Sequence, residues 1–422
     1  MTLSKISRIV TALVATAALG LGMTACGGGT IGYMWVLGTF YNQITGFKID
    51  NYTGNLTVIN HSPFASGGTN PVSLVVKAGG RFLYVVNTGV LGVGTKGSPG
   101  YVAPVQGSIA EFSIGGEGIL TFQQNYFSQG TFPIWATTDS TGNYLYVLDK
   151  FGPQYQPDKT QPNYNPDASG SITAFGIAAD TGRLSLIPNT SITNGQIPTN
   201  YFRVSPDPVM TKVGSGSCLF TLSPKSIFPY SINGSNGQLV TVATGEYGIP
   251  TAVSLNSINT SNSSFTYLTD GGGNQIFSLQ AGGSTCSLSP VSGSQQTNLP
   301  GTSNPVNSIT SSSGKFLYVL NQTSTTNNQT NTNSSISAFT VDTTGKIAAL
   351  GDGNNNPYAV GSGPVCIAQD PSNQYLYISN NTDSTVTGKL LDQNRGYLSN
   401  LQRGSVFPVT MKPTCLAVSG NI

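Results

Sequence analysis

This 422-residue chain has few charged residues, and that shortage excludes several classes of function. Charged residues make up 8% of the sequence, against about 25% in a typical soluble protein. The chain has one histidine and no Cys-x-x-Cys pair, so we expect neither a metal site nor a cofactor. Nucleic-acid binding needs clustered Lys and Arg, and the sequence contains no such cluster. Nucleic acid is therefore not an expected partner.

Residues that favour long helices are also scarce, whereas Gly, Thr, Val, Tyr and Ser are abundant. This composition is typical of an all-β protein.

The first 25 residues have the features of an export signal. A positive n-region precedes an apolar stretch, Ile9 to Leu21, which is too short to be a stable membrane span. Small residues then precede Cys26, as in a bacterial lipobox. We therefore expect cleavage after residue 25, lipidation of Cys26 and a Gly-rich tether over residues 26–32. The alternative is ordinary secretion with Cys26 unmodified.

The implied cleavage also changes the charge of the chain. The removed segment contains two basic residues and no acidic one, so the formal net charge falls from +2 to zero. The predicted location is the bacterial cell envelope, with the protein lipid-anchored in the periplasm or at the cell surface.

A sequence motif, which we call the aromatic phrase, recurs along the rest of the chain. It consists of a tight turn followed by an aromatic-rich strand that ends on Asn or Asp. Clear copies span residues 80–87, 142–149, 314–321 and 373–380, and weaker copies span residues 217–222 and 264–270. A repeat on this scale predicts an array of similar structural units.

Two more phrases complete each unit. One is a strand, a Gly turn and a second strand, with apolar residues alternating at period two. The other is a proline that opens a short apolar strand. Strands of the first kind begin near residues 46, 108, 171, 228, 275, 335 and 386. The prolines are Pro71, Pro133, Pro198, Pro250, Pro305, Pro364 and Pro413.

One unit therefore has four strands: the proline strand A, the aromatic strand B, strand C and strand D. Seven such units predict an all-β, seven-bladed β-propeller of antiparallel strands over residues 33–422. The first unit has no proline strand before it, and the last proline strand, Pro413–Val418, has no strand B after it. We expect these two ends to pair and close the ring, which removes a sheet edge.

The recurring Leu-Tyr-Val-x-Asn and Thr-Gly-x-Leu phrases, with Ser62-Pro63-Phe64, resemble the seven-bladed lactonase-like propellers. That family includes 6-phosphogluconolactonase, muconate-cyclising enzymes and surface propellers named for a Tyr-Val-Thr-Asn repeat. The resemblance covers about residues 33–420 and implies lactone hydrolysis or formation. It also implies catalysis by Arg and His after the strand A proline, and by Glu after the strand B Asn.

These catalytic residues are missing. The pairs that follow the prolines are Val72-Ser73, Ile134-Trp135, Thr199-Asn200, Thr251-Ala252, Val306-Asn307, Val365-Cys366 and Thr414-Cys415. The residues that follow strand B are Thr88, Lys150, Gly271, Gln322 and Asn381. Since neither Arg-His nor Glu occurs there, we expect a protein without the family's catalysis.

A relocated site is the alternative. It would use His61 in a loop of blade 1, Arg203 in a strand A of blade 3 and Glu246 in a loop of blade 4, as base, cation and acid. The competing interpretation is that His61 is an exposed loop residue and Arg203 stabilises a strand end.

The B-to-C and D-to-A loops emerge on one face, and three B-to-C loops are long. Binding usually resides on such loops, so we expect a ligand there. The composition of the loop at residues 322–334 indicates a solvated loop, whereas the loop at 150–169 contains aromatic residues and prolines. The candidate ligand-binding residues are Asn87, Asp149, Tyr155, Tyr164, Tyr201, Asp270, Asn321 and Asn380.

Four cysteines follow Cys26. Cys366 and Cys415 occupy one repeat position in neighbouring strands, and Cys218 and Cys286 lie at turns of the plainer face. The sequence leaves open whether either pair forms a disulfide.

Three functions remain open from the sequence. We expect a monomeric, lipid-anchored binding module for a protein, glycan or small-molecule ligand. The alternatives are a lactonase with a non-standard site and a structural surface propeller, because a fold alone does not define a function.

Overall fold

The computed structural model of the protein describes most of the chain after the predicted signal. The described residues are 29–92, 100–153, 155–156, 164–188, 201–214, 217–260, 264–293, 296–297, 304–322, 334–353, 355–410 and 412–420. Seven antiparallel sheets form the blades of a propeller, as predicted. Within these residues the only helix is a single 3₁₀ turn, Gly283–Thr285.

Each blade runs from strand A, at the central axis, to strand D at the outside. From blade 1 to blade 7, the A strands are Pro413–Gly420, Pro71–Val76, Thr131–Thr138, Met210–Val213, Leu255–Thr260, Pro305–Thr310 and Pro364–Gln369. The B strands are Thr30–Gly38, Phe82–Asn87, Tyr144–Phe151, Cys218–Ser223, Phe265–Asp270, Phe316–Asn321 and Tyr375–Asn380.

The outer half of each blade is built on strand C. The C strands are Gln43–Asp50, Ser108–Ile114, Ser169–Ile177, Ser226–Ile232, Gln275–Gly282, Ser335–Val341 and Thr385–Leu391. The D strands are Leu56–Val58, Leu120–Tyr126, Leu184–Leu186, Leu239–Thr241, Ser287–Pro290, Ile347–Ala349 and Leu398–Asn400.

In every blade except blade 2, strand D is short and a second piece, strand D′, pairs with the other end of strand C. The D′ strands are Phe64–Ala65, Tyr201–Pro206, Tyr247–Gly248, Gln296–Thr297, Tyr358–Ala359 and Val406–Pro408. This split outer strand is not evident from the sequence repeat.

The two chain ends close the ring as predicted. The last strand A pairs antiparallel with the first strand B, from Gly32 opposite Gly420 to Gly38 opposite Pro413. That strand B begins at Thr30, so the predicted propeller boundary at residue 33 is three residues too late. No helix of the described residues is both long and apolar enough to cross a membrane.

The molecule has two faces, which we name by their connections. The loop face carries the B-to-C loops and the passages from D to the next strand A. The turn face carries the A-to-B and C-to-D turns.

The aromatic phrase joins neighbouring blades near the turn face. The Tyr hydroxyl of strand B donates a hydrogen bond to the carbonyl of the Gly in the next blade's C-to-D turn, and Trp35 does the same through its indole nitrogen, at 2.5–3.3 Å. The pairs are Trp35 with Gly118, Tyr84 with Gly182, Tyr146 with Gly237, Tyr267 with Gly345, Tyr318 with Gly396, and Tyr377 with Gly54. These six aromatic side chains are fully buried. Six of the seven blade junctions are therefore stabilised by the same type of hydrogen bond.

The seventh junction, between blades 4 and 5, uses a disulfide instead. Phe220 replaces the Tyr and has no hydroxyl to donate. The turn Gly is replaced by Cys286, which adopts the same left-handed conformation with φ of 53°. Cys286 is bonded to Cys218 at the start of strand B, with Cα atoms 5.6 Å apart. One of the two open disulfide pairings is thus present and takes the place of the Tyr–Gly contact.

The second pairing lies at the seam of the ring. Cys366 in strand A of blade 7 and Cys415 in strand A of blade 1 form a disulfide, with Cα atoms 5.1 Å apart. This bond links the innermost strands where the two chain ends meet.

Two of the seven predicted strand A prolines are wrong. In blade 4 strand A follows Pro208, and the earlier Pro198 lies outside the described residues. In blade 5, Leu255 lies opposite Asp270, in the register that Pro71 has opposite Asn87. Pro250 is therefore part of the passage before the strand.

Candidate functional site

The loop-face end of the axial channel is where the sequence predicted a lost catalytic site. In blades 4 and 5 the structure places the start of strand A at Pro208 and Leu255. The residue pairs at the family's catalytic positions in these blades are therefore Val209-Met210 and Asn256-Ser257. Neither pair is Arg-His, so the predicted absence also holds at the corrected positions.

Six polar side chains at these catalytic positions donate hydrogen bonds across blade junctions. Their acceptors are backbone carbonyls of the next strand A, at 2.7–3.1 Å. The pairs are Thr88 with Pro133, Asn256 with Pro305, Asn307 with Val365, Gln322 with Pro364, Asn381 with Pro413, and Thr414 with Pro71. We call these six residues the junction clamps. They act at five of the seven junctions, so positions that would carry chemistry instead hold the blades together.

The polar residues that end the B strands are fully buried. Asn87, Asp149, Asp270, Asn321 and Asn380 each have 0% exposure. Their side chains bond to neighbouring strands or to the passage that precedes strand A: Asn380 donates to Thr385 and Thr387 at 3.0 and 2.9 Å, and Asn87 donates to the Ser66 carbonyl at 3.1 Å. The prediction that these five contact a ligand is contradicted by their burial, because they present no atom at the surface.

The two carboxylates of this set differ in their protonation. Burial raises the pKa of Asp149 to about 7, although it accepts hydrogen bonds from Ser128 and Thr173. Asp270 is also desolvated, but its contacts prevail and hold its pKa below the usual range. It accepts from Gln275 and from three backbone N–H groups, including Val253 and Ser254 at 2.9 and 2.7 Å.

An aromatic cluster lies on the loop face of blade 3. The rings of Phe151 and Tyr155 stack with centroids 3.9 Å apart and planes 9° apart. Phe132 lies 6.4 Å from Phe151, and the Lys150 ammonium lies 5.7 Å from the Phe151 ring centre. Stacking on Phe151 therefore fixes the Tyr155 ring at the start of this loop.

An apolar pocket of about 360 Å³ opens beside this cluster, between blades 2 and 3. Phe132 and Pro133 form one wall, and the B-to-C loop of blade 2 forms the other through Leu91 and Val105. That loop is shaped by a two-way backbone bridge between Val90 and Val105. We call this the loop-face pocket.

Phe132 adopts a backbone conformation that Gly, Asn and Asp adopt more readily than Phe. Its φ of 69° is left-handed, which is rare for a bulky side chain. The residues before the other strand A prolines share this conformation: they are Asn70, Asp207, Asn304, Gly363 and Lys412, of which Asn, Asp and Gly tolerate it best. The sequence repeat could therefore have drawn attention to Phe132, which we did not predict as a site residue.

The three residues of the predicted relocated site lie on three different blades. His61 is exposed in the turn between strands D and D′ of blade 1. Glu246 is exposed before strand D′ of blade 4. Arg203 is in strand D′ of blade 3, opposite Ser171 of strand C, so its predicted place in a strand A is wrong.

Arg203 is also engaged by its neighbours. Its guanidinium lies 2.7 Å from an Asp167 carboxylate oxygen and 2.9 Å from the Ser169 hydroxyl. These two contacts of Arg203 connect the loop after residue 164 to the outer edge of blade 3. The structure therefore does not bring Arg203 together with His61 and Glu246.

The remaining predicted residues lie near this edge. Tyr164 is 40% exposed, and Tyr201 begins strand D′ of blade 3. Among the described residues, no group of three or more His, Cys, Asp and Glu side chains is arranged to bind a metal ion. Cys26 lies outside the described residues.

Comparison with known proteins identifies the family. The sequence profile of the family "Lactonase, 7-bladed beta-propeller" matches residues 30–154 and 260–418. The chain therefore belongs to this family. No curated protein matches it.

Solved structures share the fold at low sequence identity. The periplasmic gluconolactonase PpgL of Pseudomonas aeruginosa superposes with a TM-score of 0.69 and 17% identity, over 93% of this chain and all of that one. A protein of Bacteroides fragilis, proposed to be a 6-phosphogluconolactonase, has a TM-score of 0.68 and 18% identity, over 93% of this chain and 99% of that one.

Proposed function

We propose that this lactonase-family propeller is a non-catalytic binding module that takes an uncharged ligand in the loop-face pocket. The observation that carries the proposal is the use of the family's catalytic positions as junction clamps. A lactonase needs a base that activates water and a cation that holds the anion. Amide and hydroxyl groups bonded to proline carbonyls supply neither.

The chemistry of the pocket favours a ligand with an apolar face. Its walls are Leu91, Val105, Phe132 and Pro133, and the Phe132 ring lies 6.4 Å from Phe151, on which Tyr155 stacks. Aromatic rings at a surface bind flat apolar groups, and the pyranose ring of a glycan has such a face. Burial of ring and aliphatic surface contributes roughly 25 cal/mol per Å², which suits an uncharged ligand of one or two rings.

A glycan array followed by calorimetry tests this site, with a variant that keeps the backbone. Phe132→Asn places at this position the residue that blades 2 and 6 have in the same left-handed conformation. We expect at least about tenfold weaker binding, equivalent to about 1.4 kcal/mol, with an unchanged melting temperature.

The matched control is Tyr52→Asn, because Tyr52 is 76% exposed on the turn face. Equal losses in Phe132→Asn and Tyr52→Asn would overturn the assignment of the pocket. So would an array on which no glycan binds the wild-type protein while a lactone is hydrolysed.

Lactone hydrolysis is the second candidate, because the chain belongs to a lactonase family and shares the fold of a periplasmic gluconolactonase. Since the structure does not bring His61, Arg203 and Glu246 together, His61, the single histidine of the chain, is its candidate base. The assay is hydrolysis of a lactone panel by the wild type and by His61→Ala. A rate above the buffer background that His61→Ala abolishes would support this candidate.

We further propose export to the bacterial envelope and anchoring through lipid on Cys26, as a monomer. The sequence before Cys26 supports this. Cys26→Ala should move the protein from the membrane fraction to the soluble envelope fraction, and detection of wild-type protein in the soluble fraction would contradict the anchor.

A further inference from the structure

The first strand of the propeller enters the ring at the turn face. Strand B of blade 1 begins at Thr30, which pairs with Asp50 beside the C-to-D turn, and it ends at Gly38 on the loop face. The Gly29 carbonyl accepts a hydrogen bond of 2.9 Å from the backbone N–H of Asn51 in that turn. The backbone is therefore attached to the turn face from Gly29 onward.

This attachment limits how far a lipid on Cys26 can lie from the turn face. Two glycines separate Cys26 from Gly29 in the sequence. Because an extended chain spans at most about 3.6 Å per residue, the Cα atoms of Cys26 and Gly29 are at most about 11 Å apart. The headgroup region on each side of a bilayer is about 5–8 Å thick. A lipid anchor at Cys26 therefore brings the turn face to the headgroups.

An exposed aromatic pair on the loop face offers the competing orientation. Phe40 and Tyr41, in the B-to-C loop of blade 1, are 54% and 59% exposed, and their rings pack edge to face with centroids 4.6 Å apart. Aromatic side chains are enriched at membrane interfaces. Strand B has nine residues, however, and separates this pair from Gly29 by about 30 Å. A tether of about 11 Å does not span that distance, so the anchor holds the loop face away from its membrane.

The part of the turn face next to Gly29 has side chains that suit a membrane interface. Tyr52, in the C-to-D turn of blade 1, is 76% exposed. The turn between strands D and D′ of blade 7 adjoins it, because the Asn55 side chain donates to the Gly404 carbonyl at 3.2 Å. That turn presents the exposed side chain of Arg403. Tyrosine is enriched at membrane–water interfaces, and arginine pairs with phosphate.

We infer that the turn-face rim of blade 1, which we define by Tyr52 and Arg403, lies against lipid headgroups while the loop face points away from the membrane. This inference rests on the proposed lipid anchor and adds to it a contact surface and a direction. The loop-face pocket consequently opens on the side opposite the anchoring membrane, where a ligand approaches from the aqueous phase.

Fluorescence quenching on vesicles tests the orientation. Tyr52→Cys and its matched control Tyr41→Cys each add one unpaired cysteine to the full-length lipidated protein, since the four cysteines after Cys26 are in disulfides. Each variant is labelled with the fluorophore NBD and reconstituted into phosphatidylethanolamine–phosphatidylglycerol vesicles, with and without a lipid that carries a nitroxide on its headgroup. Both positions are exposed, so both variants should melt as the wild type does. We expect the nitroxide to quench the label at residue 52 strongly and to leave the label at residue 41 unquenched, because about 30 Å separates them.

A longer tether tests whether the short connection sets the orientation. A flexible Gly-Ser segment of about 20 residues has an average span of about 25 Å. Inserted between Gly28 and Gly29 of the labelled Tyr52→Cys variant, it should keep the protein on the vesicles. The label at residue 52 should then lose most of its quenching, because the turn face is free to move away from the headgroups.

Flotation of the vesicles separates the failure of this inference from the failure of the anchor. Vesicle-bound protein with equal quenching at residues 52 and 41, or with stronger quenching at residue 41, would overturn the orientation and leave the anchor in place. Unchanged quenching at residue 52 with the longer tether would overturn the role of the short connection. Protein that stays in the aqueous fraction would overturn the anchor and the orientation together.

Discussion

The two ends of the axial channel have the same seven strands but opposite chemistry. At the loop face, polar side chains reach across junctions and donate to backbone carbonyls, as Thr88 and Asn381 do. At the turn face, the channel opens into wide cavities beside Lys212, a cation that has no hydrogen-bond or ion-pair partner among the described residues. The difference teaches that in a ring of blades, closure and chemistry compete for the same inner positions. Where the side chains close the ring, they are unavailable to a substrate.

The two ends also depend on different contacts for their stability. Near the turn face, six junctions are stabilised by contact between a buried aromatic ring and a Gly of the next blade. The junction between blades 4 and 5 has a disulfide instead. Five junctions have one or two clamp hydrogen bonds at the loop face, each worth about 1 kcal/mol. Substitutions near the turn face should therefore have the larger effects on stability.

Gly182→Ala should have the largest effect. Gly182 has a φ of 72°, and a Cβ there would lie 2.5 Å from the Phe82 ring of blade 2. Left-handed strain and overpacking together should lower the free energy of unfolding by about 3 kcal/mol. Thermal or urea denaturation measures the change. Gly234→Ala is the control, because no atom lies within 4 Å of a Cβ there and φ is ordinary, so it should stay within about 0.5 kcal/mol.

Loss of the disulfide between blades 4 and 5 should come next. Replacing both Cys218 and Cys286 by Ser removes a cross-link between residues 68 apart, and should destabilise by about 2–4 kcal/mol. The triple change Cys218→Phe, Phe220→Tyr and Cys286→Gly rebuilds the contact of the other six junctions. Denaturation should show that this variant recovers a large part of the loss, and no recovery would mean that the Tyr–Gly contact is not an alternative to the disulfide.

Gln322→Glu restores an acid at a position where the family's enzymes have one. The Gln322 amide donates to the Pro364 carbonyl at 3.0 Å, and a carboxylate there would face that oxygen without a proton. We expect a loss of about 1–3 kcal/mol at pH 8 and no gain of lactone hydrolysis.

The pH dependence of this variant has a definite sign. The folded state disfavours the carboxylate, so the pKa of the introduced carboxyl group should be raised, and the loss should shrink as the pH falls below that pKa. The control is Gln374→Glu at an exposed position, which should be neutral at every pH. A loss in Gln322→Glu that does not depend on pH would contradict the clamp.

Asp149→Asn should have almost no effect at pH 4, and its effect should grow as the pH rises. Burial raises the pKa of Asp149 from 3.8 to about 7, so its favourable contribution is complete below pH 3.8 and is lost as the pH rises to about 7. Blades 2, 6 and 7 have Asn at this position. Because each pKa unit corresponds to about 1.4 kcal/mol, the variant should gain up to about 4 kcal/mol relative to wild type as the pH rises from 4 to 8, measured by urea denaturation at each pH. A constant difference across that range would contradict the assigned protonation.

Local patterns predicted the fold because each strand has its own signature. The aromatic phrase, alternating apolar residues and Gly turns located every C strand and placed the closure at Pro413. Strand A of blade 4 was misplaced because Pro198 and Pro208 are both compatible with a strand start, and only pairing with strand B selects one. Arg203 was misplaced for the same reason.

The candidate sites were harder to predict, since they depend on contacts between distant residues. The position of Thr88 was known to lack an acid, but its bond to Pro133 joins two blades that no local pattern connects. Lys212 looked unremarkable in the sequence, because only the closed ring places it in a channel whose described lining residues include no acid.

Hydrolysis of a panel of sugar and aliphatic lactones by the full-length wild-type protein, followed by proton release, tests the central claim most directly. If the junction clamps have replaced catalysis, each lactone should hydrolyse at the rate of buffer alone, in the wild type and in Thr88→Ser alike. A rate well above buffer for any lactone, reproduced in independently purified protein and lost in His61→Ala or Gln322→Glu, would contradict the account.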